Sequence, residues 1–285
     1  ARGKTSGERT MTTVVVVGSG IAGLTAALHA REAGSEVTVV TKGGASDTNT
    51  RWAQGGIAAV TSPDDDIRSH AADTVTAGGG VNDLEAVRVL VENGPARIAE
   101  LLARGVRFDR TVDGELARGL EAAHARPRIL HAGGDATGAG IQAALLSAVS
   151  ASGIVMREQA TMVDLVLADG RVVGVDLVVA GTQVRLRADA VVLATGGAGR
   201  LYSHTTNPRG ATGDGIAAAI RAGAAVADME FVQFHPTALA IGEPFLISEA
   251  VRGDGAVLID DGGRRFAFDA HPDGELAPRD VVARA

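Results

Sequence analysis

No cysteine occurs in the 285 residues. That excludes disulfides, thiol catalysis and iron–sulfur ligation within them. Aromatic residues are scarce, at 3%, with a single tryptophan, Trp52. No apolar run approaches the roughly 20 residues that a membrane-crossing helix needs. No apolar segment with a cleavage pattern marks the start. Basic residues are outnumbered 27 to 34, and the net charge of −7 argues against a nucleic-acid partner. The seven histidines are scattered without ligand spacing, so no metal centre is expected. The setting these absences suggest is the cytoplasm.

Glycine, by contrast, is abundant, with 38 residues, and 46% of the chain is apolar. This is the composition of an α/β protein with many tight turns. The organising stretch begins with Val14, Val15, Val16 and Val17, a run suited to a parallel strand buried on both faces. Gly18, Gly20 and Gly23 follow at the G-x-G-x-x-G spacing. The first permits a sharp turn, the second a close approach of backbone to a pyrophosphate, and the third tight packing of helix on strand. A helix is expected over about 22–33, stopped by Gly34, then a second strand over 36–40. A dinucleotide fold commonly places an acid about 20 residues beyond the glycines, on the ribose. Here the chain reads Thr41-Lys42-Gly43-Gly44. The missing acid disfavours NAD. Lys42 suits the 2′-phosphate of NADP or a place beside FAD, and an ordinary solvated lysine is the plain alternative.

Further on, residues 43–62 read as a long loop. Helical periodicity covers 64–77 and 83–104, the latter capped at Asn82-Asp83. Residues 105–120 suggest a strand and a turn at Asp113-Gly114. Thr137-Gly138 introduces a helix over 139–152. Residues 154–187 become β-branched and alternating, which predicts an antiparallel meander of 154–157, 161–167 and 171–179 with a hairpin at Asp169-Gly170. A buried strand over 188–193 ends in Ala194-Thr195-Gly196-Gly197, and 214–222 is helical. From Glu230 the pattern is irregular. The expected organisation is a disordered leader or expression remnant over 1–10, a Rossmann-like FAD-binding domain with the inserted meander over 11–228, and the start of an α+β capping domain over 229–285.

Several stretches, in order, narrow the family: Ala53-Gln54-Gly55-Gly56-Ile57-Ala58, Ala211-Thr212-Gly213-Asp214-Gly215, and Phe231-Val232-Gln233-Phe234-His235-Pro236-Thr237. Ser248-Glu249, Arg252-Gly253-Asp254-Gly255 and Leu276-Ala277-Pro278-Arg279-Asp280 follow. Over 12–285 the chain resembles the flavoprotein superfamily of succinate dehydrogenases, fumarate reductases and L-aspartate oxidases. Arg128-Ile129-Leu130-His131, running on to Gly138, is most similar to the aspartate oxidase branch, as is the segment from Gln54 to Val60. Respiratory members carry FAD on a histidine five residues before the Gln. Here that residue is Asn49, which implies non-covalent FAD. The branch usually reads Glu-Gly-Gly-His where this chain reads Glu121-Ala122-Ala123-His124. Two alanines stiffen that loop.

The resemblance implies oxidation of L-aspartate to iminoaspartate, with a hydride passing from Cα to flavin N5. Reoxidation by O2 or fumarate, a place at the start of NAD biosynthesis and hand-over to quinolinate synthase come with it. Arg279 matches the residue credited with proton transfer. A guanidinium is a poor base, so anchoring a carboxylate and exchanging a proton both stay open, as does a salt bridge with Asp280. His235, extended before Pro236, matches a carboxylate donor. Glu121 would read the substrate ammonium. Ser248 would donate to the distal carboxylate or cap a helix. Arg252 would brace the site or pair with Glu249 or Asp254.

For the cofactor, Gly18, Ser19, Gly20, Ile21, Ala22 and Gly23 would meet the pyrophosphate and Lys42 the adenosine side. Asn49, Thr50, Arg51, Trp52, Ala53, Gln54, Gly55 and Gly56 would wrap the ribityl chain and isoalloxazine. Thr195, Gly196 and Gly197 form a second Gly-rich strand end, and Asp214 would take a flavin-side hydroxyl. Family chains continue past this length, and residues 281–285 stop inside an apparent helix, so a fragment is expected. Two readings compete: a soluble fumarate reductase or succinate dehydrogenase flavoprotein, and a flavin-binding fragment without turnover.

Overall fold

A computed structural model describes residues 11–285 apart from Ala122, Glu243 and Asp254. The expectations for 1–10, for Ala122 and for an Arg252–Asp254 pair therefore lie outside the described residues. In chain order the elements are β1 (Thr13–Val17), α1 (Ile21–Glu32), β2 (Glu36–Val40), α2 (Asn49–Trp52), β3 (Ile57–Ala58), α3 (Ile67–Ala77) and α4 (Leu84–Ala103). Then come β4 (Ile129–Leu130), α5 (Thr137–Ala151), β5 (Val155–Arg157), β6 (Ala160–Ala168), β7 (Arg171–Val179), β8 (Thr182–Arg187) and β9 (Ala190–Leu193). Beyond them lie α6 (Asp214–Arg221), β10 (Ala238–Leu239), β11 (Phe245–Leu246), α7 (Ala250–Gly253), α8 (Ala267–Ala270) and α9 (Arg279–Arg284).

The chain divides into two compact units. The first comprises the residues up to Asn49 with Leu145–Leu201 and Pro208–Ala227. Its parallel sheet has the order β5-β2-β1-β9, with Val14 beside Val37 and Ala190. The valine run makes β1 a central strand, because alternate residues fill both faces. Leu24, Ala27 and Leu28 of α1 are buried, and that helix packs on β1, β2 and β9. Val15, Val17 and Val40 join Met162, Val175 and Leu177 of the antiparallel β6-β7-β8 sheet, with Ala218 of α6, in one core. The hairpin between β6 and β7 turns at Asp169 (φ 50°) and Gly170 (φ 72°). Two consecutive positive φ values define the type I′ turn whose twist matches the flanking strands.

Two expectations are corrected here. The segment over 154–157 does not join the meander: β5 pairs in parallel with β2, Thr38 beside Val155. Its short alternating pattern fits either sheet, and the helix before it delivers it as a crossover onto the parallel one. The strand expected to be buried over 188–193 is β9, at the sheet's edge among the described residues, with Ala190 and Leu193 exposed.

The second unit comprises Thr50–Ala144, Tyr202–Asn207 and Asp228–Ala285. Residues 50–144, assigned from the sequence to the FAD-binding domain, group here with the stretch beginning at 228. Asp66 caps α3 through Ser69 N–H, and Asp83 caps α4 through the N–H groups of Glu85 and Ala86. The strand expected over 105–120 reduces to isolated bridges, Arg110 with Leu116 and Gly119 with Ile129. No long partner strand lies alongside to extend them among the described residues. β3 pairs antiparallel with β4, Ile57 opposite Leu130, so the Gln54-Gly55-Gly56 segment runs directly into a small sheet.

Candidate active site

In the first unit, Gly18 turns the chain at φ 115°, and a Cβ there would stand 2.2 Å from the Ala194 carbonyl oxygen. A Cβ on Gly23 would stand 1.9 Å from the Gly18 carbonyl oxygen. Only glycine fits either place, which is the steric content of the motif. Gly20 precedes α1 and offers no side-chain cap, and the first turn carries no acid. The positive end of the helix dipole at this turn suits an anion. Ser19 Oγ donates to Thr41 Oγ1 at 3.1 Å, tying the turn to the end of β2. Thr195 packs on Gly215, where a Cβ would meet its Oγ1 at 1.9 Å, and Gly196 adopts φ 72°.

Lys42 and Asp214 were expected on opposite sides of the cofactor. In the structure Lys42 Nζ is in direct contact with the Asp214 carboxylate and donates to Thr212 Oγ1 at 2.5 Å. Thr212 Oγ1 also donates to Asp214 at 2.9 Å. Burial opposes ionisation of Asp214, but hydrogen bonds from Lys42 and Thr212 hold its pKa below the usual carboxylate value. An acid absent from the end of β2 is supplied across space at the start of α6.

In the second unit, the Gln54-Gly55-Gly56 loop is closely backed. A Cβ on Gly56 would stand 2.3 Å from Ile129 and 2.6 Å from the Leu130 carbonyl oxygen, and one on Gly138 would stand 1.8 Å from Thr50 O. Gly138 N–H donates to the Ala53 carbonyl at 2.9 Å. The amide oxygen of Gln54 is buried without a hydrogen-bond donor among the described residues. A buried acceptor of this kind calls for a donor, and the imide N–H of a flavin is of that chemistry. Each unit by itself carries a feature that fits part of FAD: the N-terminus of α1 suits a pyrophosphate, and the Gln54 amide oxygen suits a flavin imide. Asn49 opens α2, and Trp52 ends it with its ring exposed.

The remaining candidates share the second unit. Arg279, first residue of α9, donates from Nε to Glu249 at 2.6 Å and from Nη1 to Gln233 at 3.2 Å. Asp280 pairs instead with Arg284, so the alternative of an Arg279–Asp280 bridge is not realised. Arg252 is 4% exposed; its Nη1 donates to the Glu275 carbonyl at 2.7 Å, and its Nη2 lies 3.9 Å from Glu249. Its Nε and Nη2 find no hydrogen-bond acceptor among the described residues. Burial lowers the pKa of this guanidinium, with Glu249 opposing. Ser248 is buried two residues before α7, and its carbonyl accepts from Val251 N–H at 3.3 Å.

His235 is held below its ordinary pKa, first by burial and then by the charges of Arg279 and Arg252. Its ring is therefore neutral near pH 7. Nδ1 lies 2.8 Å from the Thr237 carbonyl and 3.3 Å from the Thr237 N–H. A neutral ring has one N–H. The shorter contact makes Nδ1–H the donor to the Thr237 carbonyl, so Nε2 of the neutral ring accepts, and it donates to an anion only when the ring is protonated.

Glu121 has a close side-chain neighbour. His131 Nε2 stands 2.9 Å from its Oε1. The loop that carries Glu121 is pinned from behind by Arg128, which is 0% exposed. Arg128 donates to Asp65 at 2.8 and 2.9 Å, to Ser69 at 3.1 Å, and also to Asp73; its Nη1 lies 3.1 Å from His124 Nδ1. His124 stacks obliquely on His70, ring centres 5.7 Å apart. Histidines scattered in the chain thus gather in space, although no group of three side chains suited to a metal occurs among the described residues. Sequence reasoning passed over His131, Glu249 and the Arg128 cluster as functional parts. His131, Glu249 and Arg128 lie inside motifs already quoted for the resemblance, while Asp65, Ser69, His70 and Asp73 lie outside them, and only contact shows what each one touches.

The fold and these donors define a flavoprotein, and the chain belongs to the FAD-binding domain family, whose model matches residues 13–285. The chain is 52% identical over 283 residues to an L-aspartate oxidase of Streptomyces coelicolor, covering 95% of this chain and 49% of the relative. It is 49% identical over 277 residues to an L-aspartate oxidase of Caulobacter vibrioides, covering 95% of this chain and 54% of that one. Among solved structures, a point mutant of the E. coli quinol fumarate reductase FrdA superposes with a TM-score of 0.90 at 32% identity, covering 96% of this chain and 49% of that chain. The chain spans about half the length of the curated relatives it matches.

Proposed function

We propose that this chain serves the FAD-dependent oxidation of L-aspartate to iminoaspartate. The observation that carries the proposal is Arg252: a buried guanidinium with two nitrogens lacking acceptors among the described residues, beside Glu249, Arg279 and His235. Buried cationic donors of this kind suit the carboxylates of a small dicarboxylate. Likeness to L-aspartate oxidases, and Glu121 as an acid for an ammonium, favour aspartate over succinate. FAD, when bound, supplies the two-electron acceptor for the Cα hydride. Gly18, Ser19, Gly20, Ile21, Ala22 and Gly23 hold its pyrophosphate. Lys42 and Asp214 together serve its ribose end, and Asn49 to Gly56 with Thr195, Gly196 and Gly197 serve the rest. Asn49 leaves the flavin non-covalent.

Arg279 and Arg252 bind and orient carboxylates, His235 donates from Nε2 in its imidazolium form, and Ser248 adds a hydroxyl. Glu121 accepts from the ammonium. Arg279 exchanges a proton only where a dry, cation-rich setting allows it, since a guanidinium is a poor base. O2 or fumarate restores the oxidised flavin, and the product feeds quinolinate synthesis for NAD.

The test is anaerobic mixing of the FAD-loaded, full-length polypeptide with amino acid. Aspartate should bleach the flavin. Bleaching by succinate alone would favour the dehydrogenase reading, and no bleaching by either would favour a binding fragment. Acid precipitation of the same sample should leave the flavin in the supernatant, and flavin retained in a tryptic peptide would overturn the role given to Asn49.

A further inference from the structure

Resting on the reading of Glu121 as the acid that meets the substrate ammonium, we propose that His131 is a positioning residue for that acid and so sets selectivity for an amino-dicarboxylate. Its Nε2 stands 2.9 Å from Glu121 Oε1, and both side chains are largely buried. An ionised carboxylate can only accept, so Nε2 carries the proton. One Glu121 oxygen is thereby occupied and the carboxylate's rotation is stopped. The second oxygen is left to accept from an ammonium.

His131 is itself fixed on every side. It follows β4, whose residues pair with β3 and with Gly119. Its carbonyl accepts from Asp109 N–H at 2.8 Å. The Asp109 carboxylate in turn accepts from Gly133 N–H at 2.9 Å and Gly134 N–H at 3.1 Å, and Thr137 Oγ1 accepts from Ala132 N–H at 3.1 Å. The ring lies between two glycines: a Cβ on Gly56 would stand 3.1 Å from Nε2, and one on Gly119 would stand 3.3 Å from Cε1. The same histidine therefore touches the acid and the Gln54-Gly55-Gly56 loop. A substrate lacking an ammonium gains nothing from this arrangement.

The experiment compares His131→Gln with His131→Asn in the full-length, FAD-loaded polypeptide, with Glu121→Gln as reference. The Gln amide nitrogen occupies the reach of Nε2, and that of Asn reaches only as far as Nδ1. Both are polar and close in volume, and melting temperatures report folding. The readouts are kcat and KM for L-aspartate and kcat/KM for fumarate reduction driven by a reduced viologen. His131→Asn should raise the aspartate KM about tenfold, change kcat little and lower the aspartate-to-fumarate selectivity ratio about tenfold; His131→Gln should keep the ratio within about threefold of the parent. Glu121→Gln with His131→Asn should be no worse than Glu121→Gln alone. Equal losses in the Gln and Asn variants, or additive losses in the double variant, would overturn the role of His131. A Glu121→Gln variant with unchanged selectivity would overturn the reading of Glu121 itself.

Discussion

Arg279 and Glu249, 30 residues apart in the chain, meet through a 2.6 Å hydrogen bond from Nε to Oε2. Glu249 also faces Arg252, so one acid stands between two cations. Glu249→Gln keeps the shape and removes the charge. With Arg252 buried, the loss should cost about 1–3 kcal/mol in urea unfolding. Arg279→Leu should instead abolish both aspartate oxidation and fumarate reduction in steady-state assays, because both need the carboxylate anchor.

Glu121→Gln removes a charge-assisted contact worth about 1.5–3 kcal/mol. The kcat/KM for aspartate should fall about ten- to a hundredfold. Fumarate has no ammonium, and its reduction should suffer much less. Comparable damage to both reactions would mean that Glu121 holds the loop and does not read the amine.

Ala123 sits at φ 68°, where a Cβ is unfavourable, at a position where the resembling branch carries glycine. Left-handed backbone costs a non-glycine residue about 1–2 kcal/mol, and glycine costs about 0.5–1 kcal/mol more unfolded-chain entropy. Ala123→Gly should therefore be neutral or stabilising by up to about 1 kcal/mol. Ala123→Val should destabilise by more than Ala123→Gly gains. Paired denaturation curves decide the sign.

Contact with Asp214 neutralises Lys42, so the lysine is poorly suited to the 2′-phosphate of NADP. NADP should bind no better than about millimolar by calorimetry. Asp214→Asn should weaken FAD about tenfold, by removing the acid that faces Lys42, and should strengthen NADP. Unchanged FAD affinity would show that the pair only braces β2 against α6.

Acid should loosen the Arg128 cluster in two stages. Burial, with Arg128 adding to it, holds His70 and His124 below their ordinary value of 6.5. The unfolded chain therefore binds those protons first, and stability falls as pH drops below 6.5 towards the folded values. Asp65 is held below 3.8 by its hydrogen bonds from Arg128; for Asp73, Ala125 N–H and Arg128 outweigh burial. Their contribution is complete above the unfolded value and is lost as pH falls through the lower folded ones. Urea midpoints between about pH 7 and pH 5 should decline in the parent and decline less in His70→Gln. A flat profile would show that these rings do not titrate with unfolding.

What the sequence by itself determined is local. The run Val14 to Val17, the glycines at 18, 20 and 23, and the apolar face of α1 specify strand, turn and helix through contacts within about 20 residues. Asp83 before α4 and Asp169-Gly170 between strands act on backbone groups two or three residues away, and they were legible for that reason. The family motifs likewise named Arg279, His235, Ser248 and Glu121 as a set. Tertiary structure decided what each of them touches. β5 joins β2 because a crossover delivers it there, and its own three residues are compatible with either sheet. Lys42 meets Asp214 across 172 residues, Arg128 meets Asp65 across 63, and Glu121 meets His131 across a turn whose course no periodicity encodes. A charged side chain takes whatever partner the fold brings within about 3 Å. That distance depends on the packing of separate elements, and a residue's position along the chain does not determine it.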